Sequence, residues 1–230
     1  SMHLWDKPNG FYGAVPIVAG TVPLAAGAGL AAKMQGTDDV GVAFIGDGAV
    51  EEGVVHETLN MTRITKSPVL FVVENNLFAS HMHISLRQPK EATARFAEAN
   101  DIAFEIVDGN DVVAVRRAAK ELLKDIRAGK GPGFLEAVTF RWYGHVDWRE
   151  DIDVGVKRST DDISSWRKRD PIARLFKALE NNDLLTRSQL DEIEADIDQE
   201  IKDAWKQAMS DPYPKEEALH DLVYANGGQS

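Results

Sequence analysis

Residues 40–78, VGVAFIGDGAVEEGVVHETLNMTRITKSPVLFVVENNLF, constrain the chain most, because two apolar runs each end in a polar cluster. Val40-Gly41-Val42-Ala43-Phe44-Ile45 is short, rich in β-branched and aromatic residues, and broken by Gly46-Asp47-Gly48. That pattern predicts a fully buried strand. From Ala49 to about Thr65 the apolar Val50, Val54, Val55, Leu59, Met61 and Ile64 recur at helical spacing. Ser67-Pro68 stops the helix, and Val69-Leu70-Phe71-Val72-Val73 predicts a second buried strand ending at Glu74-Asn75-Asn76.

A strand, helix and strand of this length form a right-handed crossover between parallel strands. Both strands then finish on one edge of the sheet, so Asp47 and Asn76, 29 positions apart, face one crevice. In open α/β sheets that carboxyl edge is where ligands bind. A carboxylate, an amide oxygen and a backbone carbonyl from the following turn are donors suited to magnesium, which leaves other positions for a phosphate. Gly46 and Gly48 let the main chain approach a diphosphate, and the amides opening the next helix favour its charge. Gly-Asp-Gly alone is common turn punctuation; its coupling to Asn75-Asn76 carries the reading.

In this pairing the sequence resembles thiamine diphosphate enzymes, whose signature opens with Gly-Asp-Gly and closes with Asn-Asn. It is most similar to the alpha subunit of the E1 component of 2-oxo acid dehydrogenases, of the pyruvate, branched-chain or acetoin type. The likeness runs from Ser1-Met2-His3-Leu4 through Gly46-Asp47-Gly48-Ala49 and Glu74-Asn75-Asn76 to Arg141-Trp142-Tyr143-Gly144-His145, nearly the whole chain, and implies that an N-terminal portion is lacking.

The resemblance implies an α/β thiamine diphosphate-binding fold, a mainly parallel sheet flanked by helices with a C-terminal helical extension. Two parts are expected: residues 1–158 as the cofactor-binding domain and 159–230 as the extension packed on it. By the same resemblance Asp47, Asn76 and the Phe78 carbonyl hold Mg2+, and Gly46, Asp47, Gly48, Ala49, Asn76 and Arg141 surround thiamine diphosphate. Pro16 and Val18, in the Gly- and Pro-rich segment 9–20, lie under the cofactor, and His145 faces the reactive carbon. A guanidinium offers fixed donors to phosphate, and an imidazole exchanges protons near neutral pH, so both residue types suit those roles.

The cofactor would serve as electron sink in decarboxylation of a 2-oxo acid, with pyruvate the first candidate, and the acyl fragment would pass to a lipoyl group on E2. The glutamate that activates the cofactor is not identifiable here. The resemblance places it on a separate E1 beta subunit in an α2β2 assembly, so the chain alone is expected to be inactive. Two alternatives stay open: a transketolase-like or carboligase enzyme using the same cofactor, and a catalytically silent subunit that keeps the fold. Family members commonly place a bulky apolar brace near Ser80; if Ser80 holds that position here, the brace must come from elsewhere. They also carry phosphorylatable serines after the His, where Val146 stands, so phosphorylation there is expected to be absent.

Composition sets the outer limits. With 230 residues, 43% of them hydrophobic, the chain has material for one substantial core. A net charge of −11 argues against nucleic acid or an anionic membrane as partner. The absence of cysteine excludes disulfides and thiolate chemistry, and the polar opening residues lack a signal-peptide core, which points to the cytoplasm.

Further elements follow from pattern. Pro23 to Met34 predicts a helix packed closely through Gly27 and Gly29. Gln88 to Ala99 predicts a helix, Ile102 to Val107 a strand, and Asp111 caps a helix to about Arg127. Phe134 to Phe140 predicts a strand, and His145 to Arg158 a polar loop with little to bury. Thr160 caps a short helix, and Asp170-Pro171 starts another to Ala178. Thr186 to Met209 carries Leu190, Ile193, Ile197, Ile201, Trp205 and Met209 as one stripe, either core or subunit interface. His81 and His83 lack further ligand spacing and read as solvated loop residues.

Overall fold

The structure, a computed structural model, describes residues 3–146, 148–153 and 155–220. In chain order the strands are β1 (Gly41–Gly46), β2 (Val69–Asn75), β3 (Phe78–Ala79), β4 (Met82–His83), β5 (Ala103–Asp108), β6 (Gly133–Val138), β7 (Ile152–Asp153) and β8 (Val156–Lys157). The helices are α1 (Thr21–Gln35), α2 (Gly53–Thr65), α3 (Arg95–Ala99), α4 (Val112–Arg127), α5 (Thr160–Arg167), α6 (Pro171–Asn181) and α7 (Arg187–Ser210).

Four strands form one sheet in the order β1-β2-β6-β5, every neighbouring pair parallel. The register places Gly46 beside Glu74, and Glu74 beside Ala137, so β1, β2 and β6 end on a common edge. β2 is apolar on both faces, and both are covered. Val69, Phe71 and Val73 pack with Val22 and Ala26 of α1 and Val55 and Leu59 of α2, while Leu70 and Val72 pack with Ala118, Leu122 and Ile126 of α4. This α/β layering is the expected class. Each large side chain removed from water at this centre contributes about 1.5–3 kcal/mol before entropy is counted.

α1 approaches the sheet through Gly29, where an added Cβ would collide with the Pro68 carbonyl. Gly27 faces open space, so only one of the two glycines serves close packing. α4 is capped by Asp111, whose side chain accepts from the amides of Val113 at 3.1 Å and Ala114 at 3.0 Å.

Several elements depart from the sequence reading. The helix expected over 88–99 is confined to α3, because the amides of Thr93 and Ala94 donate instead to the carboxylate of Glu136, at 3.0 and 2.7 Å. The helix expected from Ala49 opens as a separate 3-10 turn, Ala49–Glu51, and Glu52 is extended before α2 begins. β6 stops at Val138, and Ser159 rather than Thr160 caps α5. The loop after His145 is more organised than its polarity implies: β7 and β8 pair as a hairpin, and Asp153 and Arg158 are buried.

Two compact units divide the chain, Ser1–Leu175 and Phe176–Ser230. In the second, α7 begins with a reciprocal capping box between Thr186 and Gln189. Its apolar stripe is not core: Ile193 is 45% exposed, Trp205 71% and Met209 73%. The segment after α7 includes a 3-10 turn at Glu216–His220, and residues 221–230 lie outside the described part. Among the described residues no helix is long and apolar enough to cross a membrane.

Candidate functional site

Asp47 stands one residue past the end of β1 and Asn76 one past the end of β2. Because these strands are neighbours in register, the two side chains share one edge. Asp47 is buried, 1% exposed, and its Oδ2 accepts from Nη2 of Arg87 at 2.5 Å. Arg87 also pairs with Glu51 in the 3-10 turn that follows Gly48. Burial pushes the Asp47 carboxyl above the ordinary aspartate value of 3.8, against the hydrogen bond and charge of Arg87, with smaller opposing help from the backbone amides of Asp47 and Asn76.

The turn after β2 is built from both asparagines. Asn75 Oδ1 accepts from the Leu77 amide at 3.0 Å, and Asn76 Oδ1 accepts from the Phe78 amide at 3.1 Å. The Asn75 side chain in turn donates to Glu136 Oε1 at 2.6 Å and to the Glu91 carbonyl at 3.2 Å. Glu136 is fully buried within β6 and accepts three N–H groups across its two oxygens. A buried carboxylate so satisfied fixes its donors, here the turn that carries Asn76 and Phe78.

This turn also links the other clusters. A Cβ on Gly48 would sit 2.6 Å from Cβ of Ala79, so only glycine lets the 46–49 loop lie against β3. The next residue, Ser80, offers its carbonyl to Arg141 Nη2 at 2.6 Å. Arg141 is further held by Asp153 at 2.9 Å, and the other Asp153 oxygen accepts from the His145 amide at 2.7 Å. Arg158 donates to the carbonyls of Arg141, Trp142 and Glu150, clamping the loop from behind. Gly46, Asp47, Gly48, Ala49, Asn76, Phe78 and Arg141 are thus drawn to one edge, and His145 is tied to Arg141 through Asp153. The His145 side chain is exposed. Pro16 and Val18 lie exposed on the loop before α1, outside the groups these contacts draw together.

Two buried polar atoms at this edge have no hydrogen-bond partner: Oδ1 of Asp47 and Nη1 of Arg141. One is an acceptor and the other a donor, the complementary pair that a cation bound to a phosphate satisfies. Among the described residues no three carboxylates or histidines gather in a metal-sized cluster. A cation here would draw one carboxylate, an amide oxygen and a carbonyl from the protein and the rest from its anion, a donor set that fits magnesium. The residues fit both Mg2+ and a diphosphate.

Arg87, Glu136, Asp153 and Arg158 were not singled out from sequence. Glu136 left a signal, a charge inside an otherwise apolar strand; Arg87 lies in a stretch without period, and Asp153 and Arg158 are hidden in a polar loop.

The comparisons with known proteins place the chain in a family. The family model for the dehydrogenase E1 component matches residues 1–217, and the chain belongs to that family. The alpha subunit of the pyruvate dehydrogenase E1 component, testis-specific mitochondrial form, of Homo sapiens is 38% identical over 226 residues, covering 98% of this chain and 57% of the relative. The corresponding subunit of Rhizobium meliloti is 34% identical, covering 96% of this chain and 62% of the relative. That of Rickettsia felis is 32% identical, covering 97% and 68%. The chain thus spans little more than half to about two thirds of the length of these relatives.

Proposed function

We propose that the chain is the alpha subunit of a cytoplasmic 2-oxo acid dehydrogenase E1 component, with pyruvate the first candidate substrate and a lipoyl-bearing E2 as acceptor of the acyl group. The observation that carries this is the pairing of Asp47 and Asn76 at one sheet edge, with a buried Asp47 Oδ1 that has no hydrogen-bond partner. When bound, Mg-thiamine diphosphate supplies the electron sink for loss of carbon dioxide. Asp47 Oδ1, Asn76 Oδ1 and the Phe78 carbonyl hold the Mg2+. The loop Gly46–Ala49 would give the diphosphate close access to the main chain, and Arg141 has an unpartnered Nη1 to offer a phosphate oxygen. Pro16 and Val18 support the ring of the cofactor. His145, exposed on its loop, holds or delivers a proton at the substrate.

No residue on this chain is assigned to activate the cofactor, and the exposed stripe on α7 is suited to a subunit contact. Both support a requirement for an E1 beta partner in an α2β2 assembly. Reconstitution of the chain with a beta subunit, Mg2+ and thiamine diphosphate, assayed across a panel of 2-oxo acids, tests the reading. Turnover by the pair and none by the chain alone is expected; turnover by the chain alone, or aldehyde ligation instead of lipoyl transfer by the pair, would contradict it.

A further inference from the structure

Resting on that reading of the Asp47 site, we infer that Arg87 is a positioning residue that presents a single oxygen of Asp47 to the cation. The guanidinium is nearly enclosed, its side chain 8% exposed, and it is committed on three sides. Nη2 donates to Asp47 Oδ2 at 2.5 Å, Nη1 pairs with Glu51, and Nε donates to the Met82 carbonyl at 3.2 Å. A planar fork held at three points cannot follow a rotating carboxylate, so it fixes the carboxylate instead. With Oδ2 taken, Asp47 meets a cation through Oδ1, the oxygen left without a partner.

Two effects oppose each other. A guanidinium beside a cation site repels the ion, whereas an Asp47 without it is a buried carboxylate lacking its fixed partner and free to turn away from the site. The second effect dominates for two reasons. Glu51 absorbs the excess: two carboxylates and one guanidinium leave the trio with one net negative charge. The guanidinium also sits on the Oδ2 side, not the Oδ1 side. Arg87 and Asp47 are 40 residues apart, and the contact joins the β4 segment to the end of β1, so the same fork also ties together two walls of the site. Partners of metal ligands typically govern affinity by 10–100-fold.

The test is a Mn2+ titration followed by electron paramagnetic resonance, with thiamine diphosphate present at millimolar concentration, on wild type, Arg87→Met, Arg87→Lys and Glu51→Gln. Circular dichroism and melting temperature report folding of each. We expect Arg87→Met to weaken Mn2+ uptake about 10–100-fold, Arg87→Lys to recover part of the loss through its one charged donor, and Glu51→Gln to weaken uptake less than Arg87→Met. Should Arg87→Met fail to fold, Glu51→Gln decides: weaker uptake supports the role, and unchanged or tighter uptake overturns it. A folded Arg87→Met that binds Mn2+ as tightly as wild type, or more tightly, would show that Arg87 merely occupies the site. A wild-type chain that takes up no Mn2+ under these conditions overturns the site reading itself, a different outcome from unchanged variants.

Discussion

Asp47 and Asp108 are both aspartates near the ends of sheet strands, yet their surroundings move them in opposite directions. Around Asp47 desolvation prevails over Arg87 and the carboxyl rises; around Asp108 burial also acts upward, but hydrogen bonds from Arg169 and Arg174 outweigh it and the carboxyl falls below 3.8. Arg174 Nη1 donates to Asp108 Oδ2 at 2.7 Å and Arg169 Nη2 pairs with the same oxygen at 2.9 Å, which ties the start of α6 to the end of β5. A depressed carboxyl favours the folded state above its unfolded value, and that contribution is lost as pH falls through the lower, folded value. Asp108→Asn keeps the acceptor for the Asn110 amide while removing the charge. It should cost about 1 kcal/mol in urea unfolding at pH 7, and the difference from wild type should shrink below about pH 4; a difference that grows in acid would show that the sign is wrong.

At the scale of elements, legibility followed the reach of the interactions that shape each one. β1, β2, β5 and α4 lie close to their expected bounds because period and caps are local: Asp111 sits beside the amides it caps. The 88–99 segment is misread because its outcome depends on Glu136, more than 40 residues downstream, which claims the Thr93 and Ala94 amides. The site divides the same way. Asp47, Asn76, Gly48 and Arg141 were legible as motif residues at strand ends, whereas Arg87, Asp153 and Arg158 are recognisable only once folding brings their partners to them. In the second unit, local chemistry sets α7: Thr186→Ala removes the side-chain acceptor of the Gln189 amide, one half of its capping box, while the Thr186 amide still donates to Gln189, and it should cost about 1 kcal/mol, read as a lowered helical signal and melting temperature. No change in either would show that this helix start is held by other contacts.

At the scale of the whole molecule, the described residues leave apolar surface exposed. On α7 the stripe from Ile193 to Met209 alternates with acidic residues, and its exposure sets aside the core reading that spacing alone left open. We expect Ile197→Asp and Trp205→Asp to change unfolding free energy by about 0.5 kcal/mol or less, since these side chains are exposed in the chain itself. Sedimentation velocity with an E1 beta partner should show weakened assembly for both variants. Unaltered assembly would remove α7 from the contact surface.

The central claim is that two side chains from neighbouring parallel strands hold one divalent ion with its diphosphate. An anomalous-scattering map from crystals grown with Mn2+ and thiamine diphosphate tests it directly. The account predicts one strong peak about 2.1–2.3 Å from Asp47 Oδ1 and from Asn76 Oδ1, with the diphosphate against Gly48 and Arg141. A peak elsewhere, with Asp47 Oδ1 still unliganded beside a bound diphosphate, would contradict it.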